Sequence, residues 1–407
     1  MKARYQYRIY PSAEQQTKLA QLFGCCRVVW NDALAHCIEL YKSGEKKPSN
    51  SQLQKQFITQ AKKTVEREWL KEVSNIPLQQ SLNDLEQAYQ NFFKSYKGKR
   101  KGKKVKPPKF KKRNAKQSAR FRVGGFKLNR EKISLAKIGN LKIIWSRPLP
   151  SQPSSVTVIK DAANRYFLSF VVEVHQQPLP ESPSSVGIDL GIKTFAVLSN
   201  GEKIDAPKPF KRKINRLRKL NRNLSRKTRG SKRHEKARIR KAKLYARMKD
   251  TRKDFLHKLS TRIINENQVV VLEDLNVSGM IKNRKLSKAI SDLGWRQFRT
   301  FLEGKAEKSG REFRVISRWE PTTQKCHACG FRGGKLDLSV RKWTCLNCET
   351  THDRDSNAAI NILVAGGHSE TLNGRGGRRK TLLKEAASNE ASTRLGEPIQ
   401  LSIFDIL

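Results

Sequence analysis

Two CxxC pairs, Cys326-His-Ala-Cys329 and Cys345-Leu-Asn-Cys348, stand fifteen residues apart. Nothing else in the chain restricts its folding as tightly. Each CxxC is a short knuckle that turns two sulfurs toward one point, and two knuckles complete a tetrahedral shell for Zn2+. Four thiolates leave no open position, so this zinc is expected to fold a ribbon and not to catalyse. Gly330 follows the first pair, as a tight turn there requires. His327, inside that knuckle, is expected to be exposed and not a ligand, because the shell is already full. Cys25, Cys26 and Cys37 fall in a helical pattern and read as small buried apolar residues.

Charge limits the partners. Lys and Arg number 85 against 36 Asp and Glu, a formal net charge of +49. An unneutralised excess of that size costs self-repulsion in the folded state. Nucleic acid phosphates would neutralise it. An anionic membrane is the weaker reading, since no lipidation motif or basic amphipathic anchor stands out. No apolar run of about 18 residues occurs, and MKARYQYRIYP alternates instead of forming a signal-peptide core. A soluble cytoplasmic protein with no membrane partner is the expectation.

Along the chain, residues 3–10 alternate as a strand. Ser12 then opens a helix, with Gln15 completing a capping box. Its apolar face runs Leu19, Leu22, Phe23, Cys26, Trp30, Ala33, Cys37 and Leu40, and a second helix carries Leu78, Leu82, Leu85, Tyr89, Phe92 and Phe93. Core packing is the plain reading of both stripes. In residues 97–113, eleven of seventeen are basic, broken by Gly98, Gly102, Pro107 and Pro108. This is a flexible cationic linker, either a solvated loop or a phosphate-binding segment. Five short strand-like segments over 117–176, with strand 3–10, suggest a small β-barrel into which the helical unit is inserted. The Pro/Ser stretch 176–185 marks a domain boundary.

A new domain begins at Val186. VGIDLGIKTFAVLSNG reads as strand, tight turn, strand. From Lys208 to Arg262 there are 24 Lys and Arg against Glu235, Asp250 and Asp254, on two helices divided at Gly230. Like charges one turn apart repel unless a partner neutralises them, so these helices are candidate nucleic-acid contacts. QVVVLEDL is a buried strand. A helix over 287–309, strand EFRVISRW, the zinc motif and a helix near 355–366 follow, before a Gly-, Arg- and Ser-rich tail at 368–407, expected to be disordered.

Carboxylates at the ends of apolar strands are costly to desolvate unless they are paired or bind cations. Asp189 in GIDLG, Glu273 in VVVLED and Asp353 or Asp355 in HDRDSNAA come from three separated segments and together fit a two-metal site. The glycines beside Asp189 are expected to leave room for a ligand. Each acid taken singly has a plain alternative as a cap or surface group. Asp355 could N-cap a helix starting near Asn357.

GIDLGIKTFAVLSNG, VVVLEDLN, PTTQKCHACG, WTCLNC and THDRDSNAAINI, in this order, resemble TnpB, the OrfB-type family of bacterial insertion sequences related to type V CRISPR effector nucleases. The similarity reaches to about Gly367 and includes LQQSLNDLEQAYQNFF. Thr322-Thr323 stands where the family often has Thr-Ser. The resemblance implies an α+β multidomain chain. It has a wedge β-barrel (1–10 and 114–180) and an inserted helical recognition domain with its basic linker (11–113). A RuvC-like RNase H-fold nuclease (186–320 and 351–367) is split around a zinc ribbon (321–350). It assigns Asp189, Glu273 and Asp355 as the catalytic triad holding Mg2+, two ions in all. Asp355 is preferred to Asp353 because the family's aspartate stands two before the Asn, here Asn357. Cys326, Cys329, Cys345 and Cys348 hold the zinc. Gln79 aligns with a region that reads a target-adjacent motif. The implied activity is RNA-guided cleavage of double-stranded DNA by a monomer carrying a guide RNA from the transposon end. The alternatives are an RNA-guided regulator of transposition with an idle nuclease, and a strand-transferring transposase, against which the ribbon and the DRDSNAA ending both argue.

Overall fold

The protein is described by a computed structural model covering residues 2–114, 116–129, 132–334, 336–337 and 339–367. The tail at 368–407 lies outside the described residues.

The alternating residues form β1 (Lys2–Ile9). Ser12 caps α1 (Ala13–Lys42), and its side chain and that of Gln15 form the reciprocal capping box. Next come α2 (Asn50–Gln54), a π-helical turn at Lys55–Gln60 and short 3-10 turns, then α3 (Asn75–Tyr96). The strands β2 (Gln117–Arg122), β3 (Phe126–Leu128), β4 (Lys132–Leu135), β5 (Gly139–Ile144), β6 (Ser155–Lys160) and β7 (Tyr166–Glu173) follow. They join β1 in a seven-stranded sheet of order β2-β6-β7-β1-β5-β4-β3.

Its two edge strands, β2 and β3, are joined directly by the turn Val123–Gly125, so the sheet must curl until its ends meet. Among the described residues no ladder pairs β2 with β3, and the expected barrel is therefore a curled sheet. The helical insert has no separate core. Leu19, Leu22, Leu78 and Leu82 pack in one cluster with Phe121, Val158, Leu168 and Phe170 of the sheet. Cys25, Cys26 and Cys37 are buried in it, as their helical spacing required.

The basic stretch 97–113 forms no helix or strand. Its far end is not free, however. Trp30 Nε1 donates to the Lys109 carbonyl (3.1 Å), Lys111 N donates to Asn31 Oδ1 (2.8 Å), and the Lys111 ammonium lies 3.7 Å from the centre of the Trp30 ring.

The second half is built on a five-stranded sheet of order β10-β9-β8-β11-β12. Its members are β8 (Ser185–Asp189), β9 (Ala196–Leu198), β10 (Lys203–Ile204), β11 (Val269–Glu273) and β12 (Glu312–Ile316). β8, β11 and β12 are parallel. The basic helices α4 (Pro209–Ser225) and α5 (Lys232–Glu266) meet at Gly230, whose φ of +89° suits glycine. α4 starts from Lys208 in a left-handed conformation, and the buried Asp292 carboxylate accepts from Phe210 N and Lys211 N in place of a local cap.

α6 (Val277–Met280) leads to α7 (Ser287–Leu293) and α8 (Trp295–Ser309). The single helix expected over 287–309 is thus two. Gly294 takes φ +77°, ending α7 and starting α8, and its absent Cβ leaves room for Arg252 and Leu256 of α5. The ribbon hairpin β13 (Lys342–Thr344) and β14 (Thr351–Asp353) precedes α9 (Arg354–Ala365). α9 starts earlier than expected. Its N-cap is Asp353, whose side chain accepts from Ser356 N, which leaves Asp355 in the first turn without a capping role.

Candidate active site and metal centre

Strand alternation gives β8 and β11 two different faces. Val186, Ile188, Val270 and Leu272 turn toward α5 and α8, whereas Val269 and Val271 pack on Ile362 and Leu363 of α9. By the same alternation Asp189 and Glu273 point to the α9 face. Leu272 is paired with Ile188 in the parallel register, so the next residues, Glu273 and Asp189, end adjacent strands about 4.8 Å apart. This is the carboxyl end of parallel strands, where open α/β sheets place their ligands.

α9 supplies the third group. A Cβ on Gly187 would overlap the Ala359 carbonyl oxygen and lie 2.6 Å from Leu363 N, so the helix rests directly on the strand. Asp189 stands two residues beyond that contact, roughly 6.6 Å at strand rise. Asp355 stands one helical turn before it, roughly 6 Å at helix rise. The two therefore meet at the same end. Their electrostatics agree: burial first, then the charges of Asp355 and Glu273, push the Asp189 carboxyl up to about 7. Burial and the neighbouring Asp274 push Glu273 upward too.

The adjacent acids are neutralised. Arg318 and Arg299 bind Asp274 and hold it below the usual carboxylate range. Burial opposes ionisation of Asp353, but Lys203 at 2.7 Å and the Ser356 contacts outweigh it and hold that group low. Among the described residues, Asp355 is ion-paired with Arg341 alone, at 3.4 Å. Three hard oxygen donors with their negative charge left largely uncompensated suit a divalent cation such as Mg2+. Their ligand atoms do not gather as closely as the cysteines do: among the described residues only the thiols lie within 4.8 Å of one another.

The glycines of GIDLG do not leave room for a ligand, as the sequence had suggested. Gly187 is filled by α9, and a Cβ on Gly191 would press on the Thr194 carbonyl of its own turn.

The four cysteines converge. Cys326 and Cys348 sulfurs lie 3.7 Å apart, and Cys329 and Cys345 3.6 Å apart. Sulfurs on a tetrahedron about 2.3 Å from a central zinc stand about 3.8 Å from each other, so the set fits that ion. His352, which the sequence did not single out, is buried with Nε2 3.0 Å from Cys326 Sγ, in range for an imidazole N–H donating to a thiolate. Its ring meets those of His327 (4.7 Å) and Trp343 (4.8 Å). His327 is consequently half-buried, not exposed, though it is no member of the sulfur cluster.

Asn357 and Asn361, both buried, tie the first knuckle to α9. Asn361 Nδ2 donates to the Thr322 and Lys325 carbonyls (2.8 and 2.6 Å), and Asn357 accepts from His327 N (2.9 Å). The helix bearing Asp355 is therefore bolted to the ribbon. Two buried asparagines four apart on an apolar helix were the available signal. Gln79 lies exposed on α3, away from its core side.

Three family models match this chain: residues 169–284 match OrfB_IS605, described as "Probable transposase"; 295–362 match the Cas12f1-like TNB domain; and 1–46 match the HTH_OrfB_IS605 helix-turn-helix domain. Over that last range the structure has β1 followed by the single helix α1. Among curated proteins, a "Putative RNA-guided DNA endonuclease" of Streptomyces pristinaespiralis is 44% identical over 90% of this chain and 90% of its own. InsQ of Escherichia coli K12, named in the same words, is 31% identical over 89% of this chain and 92% of its own. Among solved structures, a cryo-EM structure of a Cas12f1–sgRNA–target DNA complex superposes with a TM-score of 0.53 at 14% identity, covering 89% of this chain and 98% of that one, a likeness of fold.

Proposed function

Since this chain belongs to the OrfB_IS605 (TnpB) family of insertion-sequence proteins, we propose that it is an RNA-guided DNA endonuclease whose cutting site is Asp189, Glu273 and Asp355. The observation that carries this reading is that Asp189 and Glu273 end adjacent parallel strands on the face covered by α9, whose first turn bears Asp355. When bound, two magnesium ions would supply a Lewis acid for the scissile phosphate and lower the pKa of an attacking water. Asp189 and Glu273 present their oxygens side by side from the rigid sheet. Asp355 closes the set from α9, and Asp353 keeps that helix's first turn in place through its cap.

In this reading the second half is a RuvC-like nuclease split around a structural zinc ribbon held by Cys326, Cys329, Cys345 and Cys348. The curled sheet is the wedge, and α1 to α3 form the recognition insert. Base pairing by a guide RNA from the element end supplies sequence specificity, while the protein grips the heteroduplex by its backbone. The basic helices α4 and α5 and the 97–113 segment are the candidate phosphate contacts. Gln79, exposed on α3, is the candidate reader of a target-adjacent motif. The working particle is a monomer on its RNA in the bacterial cytoplasm.

The test is cleavage of a matching duplex by the purified chain carrying its element's RNA, with magnesium. Asp189→Ala should abolish cutting and leave RNA binding within about twofold of wild type. A wild-type complex that protects the target without nicking it would overturn the reading in favour of a regulator with an idle nuclease.

A further inference from the structure

Of the chain's six tryptophans, Trp319 alone is exposed, at 86% of its surface. It lies in the turn that follows β12, the strand next to the one that ends in Glu273. Ile316 ends β12 opposite Glu273, and Asp274 N donates to the Ile316 carbonyl at 3.1 Å. Trp319 is three residues on from Ile316, an end-to-end span of about 11 Å at most. The carboxyl ends of three neighbouring parallel strands therefore run Asp189, Glu273, then the turn bearing Trp319, at strand spacings of about 4.8 Å.

That turn is fixed. Arg318, the preceding residue, is ion-paired with Asp274, which Arg299 also holds. Trp319 N donates to Ser317 Oγ (3.3 Å), Glu320 N to the Ser317 carbonyl (3.2 Å), and Thr322 N to the Glu320 carbonyl (2.9 Å), with Thr322 buried under the Asn361 clamp. A large aromatic ring held in water on a pinned backbone is pre-organised, so a partner that stacks on it incurs little ordering cost. Every base has a face that such a ring can stack on, whatever its sequence.

We propose that Trp319 is a positioning residue that stacks on an unpaired DNA base and so holds the neighbouring phosphate over Asp189 and Glu273. The inference rests on the nuclease reading above and deepens it by naming a residue that holds the substrate strand. Stacking from the sheet edge would fix which phosphodiester lies at the carboxylates.

The experiment uses the full chain and a short single-stranded deoxyoligonucleotide carrying 2-aminopurine, whose fluorescence is quenched on stacking, without added magnesium. Wild type should quench it. Trp319→Ala should lose most of the quenching and bind about five- to a hundredfold more weakly, whereas Trp319→Tyr should retain most of both. With guide RNA, matching duplex and magnesium, Trp319→Ala should spread its cuts over neighbouring phosphodiesters. Unchanged quenching and affinity in Trp319→Ala would overturn the proposal. So would weaker binding accompanied by a lower melting temperature and zinc loss, the mark of a packing role. If Trp319-dependent quenching occurs but wild type never cuts, the nuclease reading falls and the platform stands. If wild type and Trp319→Ala bind and cut alike, the platform alone falls.

Discussion

Gly187 of β8 lies directly beneath Ala359 of α9, with no space between them for a side chain. That contact sets how far Asp355 stands from Asp189. Gly187→Ala would drive a methyl group into helix backbone that cannot rotate away. Overpacking of this kind costs about 1–3 kcal/mol. The melting temperature should fall, and cleavage should fall more than stability predicts, because α9 must shift. Wild-type cleavage in a folded Gly187→Ala protein would show that the contact does not set the site.

The carboxyl of Asp189 makes stability depend on pH in a definite direction. Its folded value is about 7, against roughly 3.9 for an unfolded aspartate. The folded chain keeps a proton that the unfolded chain releases. The contribution is thus fully present below about pH 4 and lost as pH rises through about 7. Without divalent metal, the melting temperature of wild type should drop across that window relative to Asp189→Asn. Magnesium added above about pH 7 should raise it in wild type and much less in the variant, since an ionised carboxylate is the ligand. Parallel pH profiles for the two proteins would contradict the assignment.

Zinc analysis should find one ion per chain, bound through Cys326, Cys329, Cys345 and Cys348. A strong chelator, or Cys345→Ser, should lower the melting temperature and release the ribbon to proteolysis, with no rescue by magnesium, because metal binding and ribbon folding are one process. A chain that keeps its melting temperature after complete zinc removal would refute a folding role.

Asn361→Leu removes the amide that binds two buried carbonyls of the first knuckle. Asn357 Nδ2 still reaches the Lys325 carbonyl (2.8 Å), so the cost is that of the lost hydrogen bonds, about 0.5–1.5 kcal/mol each. Zinc content should persist while cleavage falls, because the loss loosens the bolt between ribbon and α9 and spares the thiolates. Equal loss of zinc and activity would place the effect in the metal shell instead.

Lys236, Arg240, Lys243 and Arg247 are exposed along α5 at helical spacing and make no ion pair among the described residues. Changing all four to Gln should weaken RNA and DNA binding and reduce the slope of log affinity against log salt by up to about 4, roughly 0.9 per lost phosphate contact. Target sequence preference should not change. An unaltered salt slope would make this a merely solvated face.

Much of this was legible in the chain. The capping box at Ser12 and Gln15, the turn at Gly230, the two knuckles and the strands ending in Asp189 and Glu273 all follow from local chemistry, in which a few neighbouring residues specify their own geometry. Periodicity could also separate helix from strand, because side-chain faces repeat at 3.6 or 2 residues. It failed where a distant element decided the outcome. Gly294 looks like a tolerated helix residue until Arg252 and Leu256 of α5 occupy the space its Cβ would need. Gly187 looks like room for a ligand until α9 fills it. His352 and Asp292 carry no local mark, since their partners lie 26 and 82 residues away, and Asn361 shows only its spacing from Asn357, its partner Thr322 lying 39 residues away.

The sequence by itself determined which carboxylates and thiols the protein has and the strand or helix that presents each. Only the tertiary structure decided which acids stay bare. Asp274 and Asp353 are neutralised by Arg318, Arg299 and Lys203, while Asp189 and Glu273 are left facing α9. Charge compensation depends on distance through space: Lys203 meets Asp353 where α9 closes on the sheet, and Arg299 of α8 and Arg318 after β12 meet Asp274 at the end of β11.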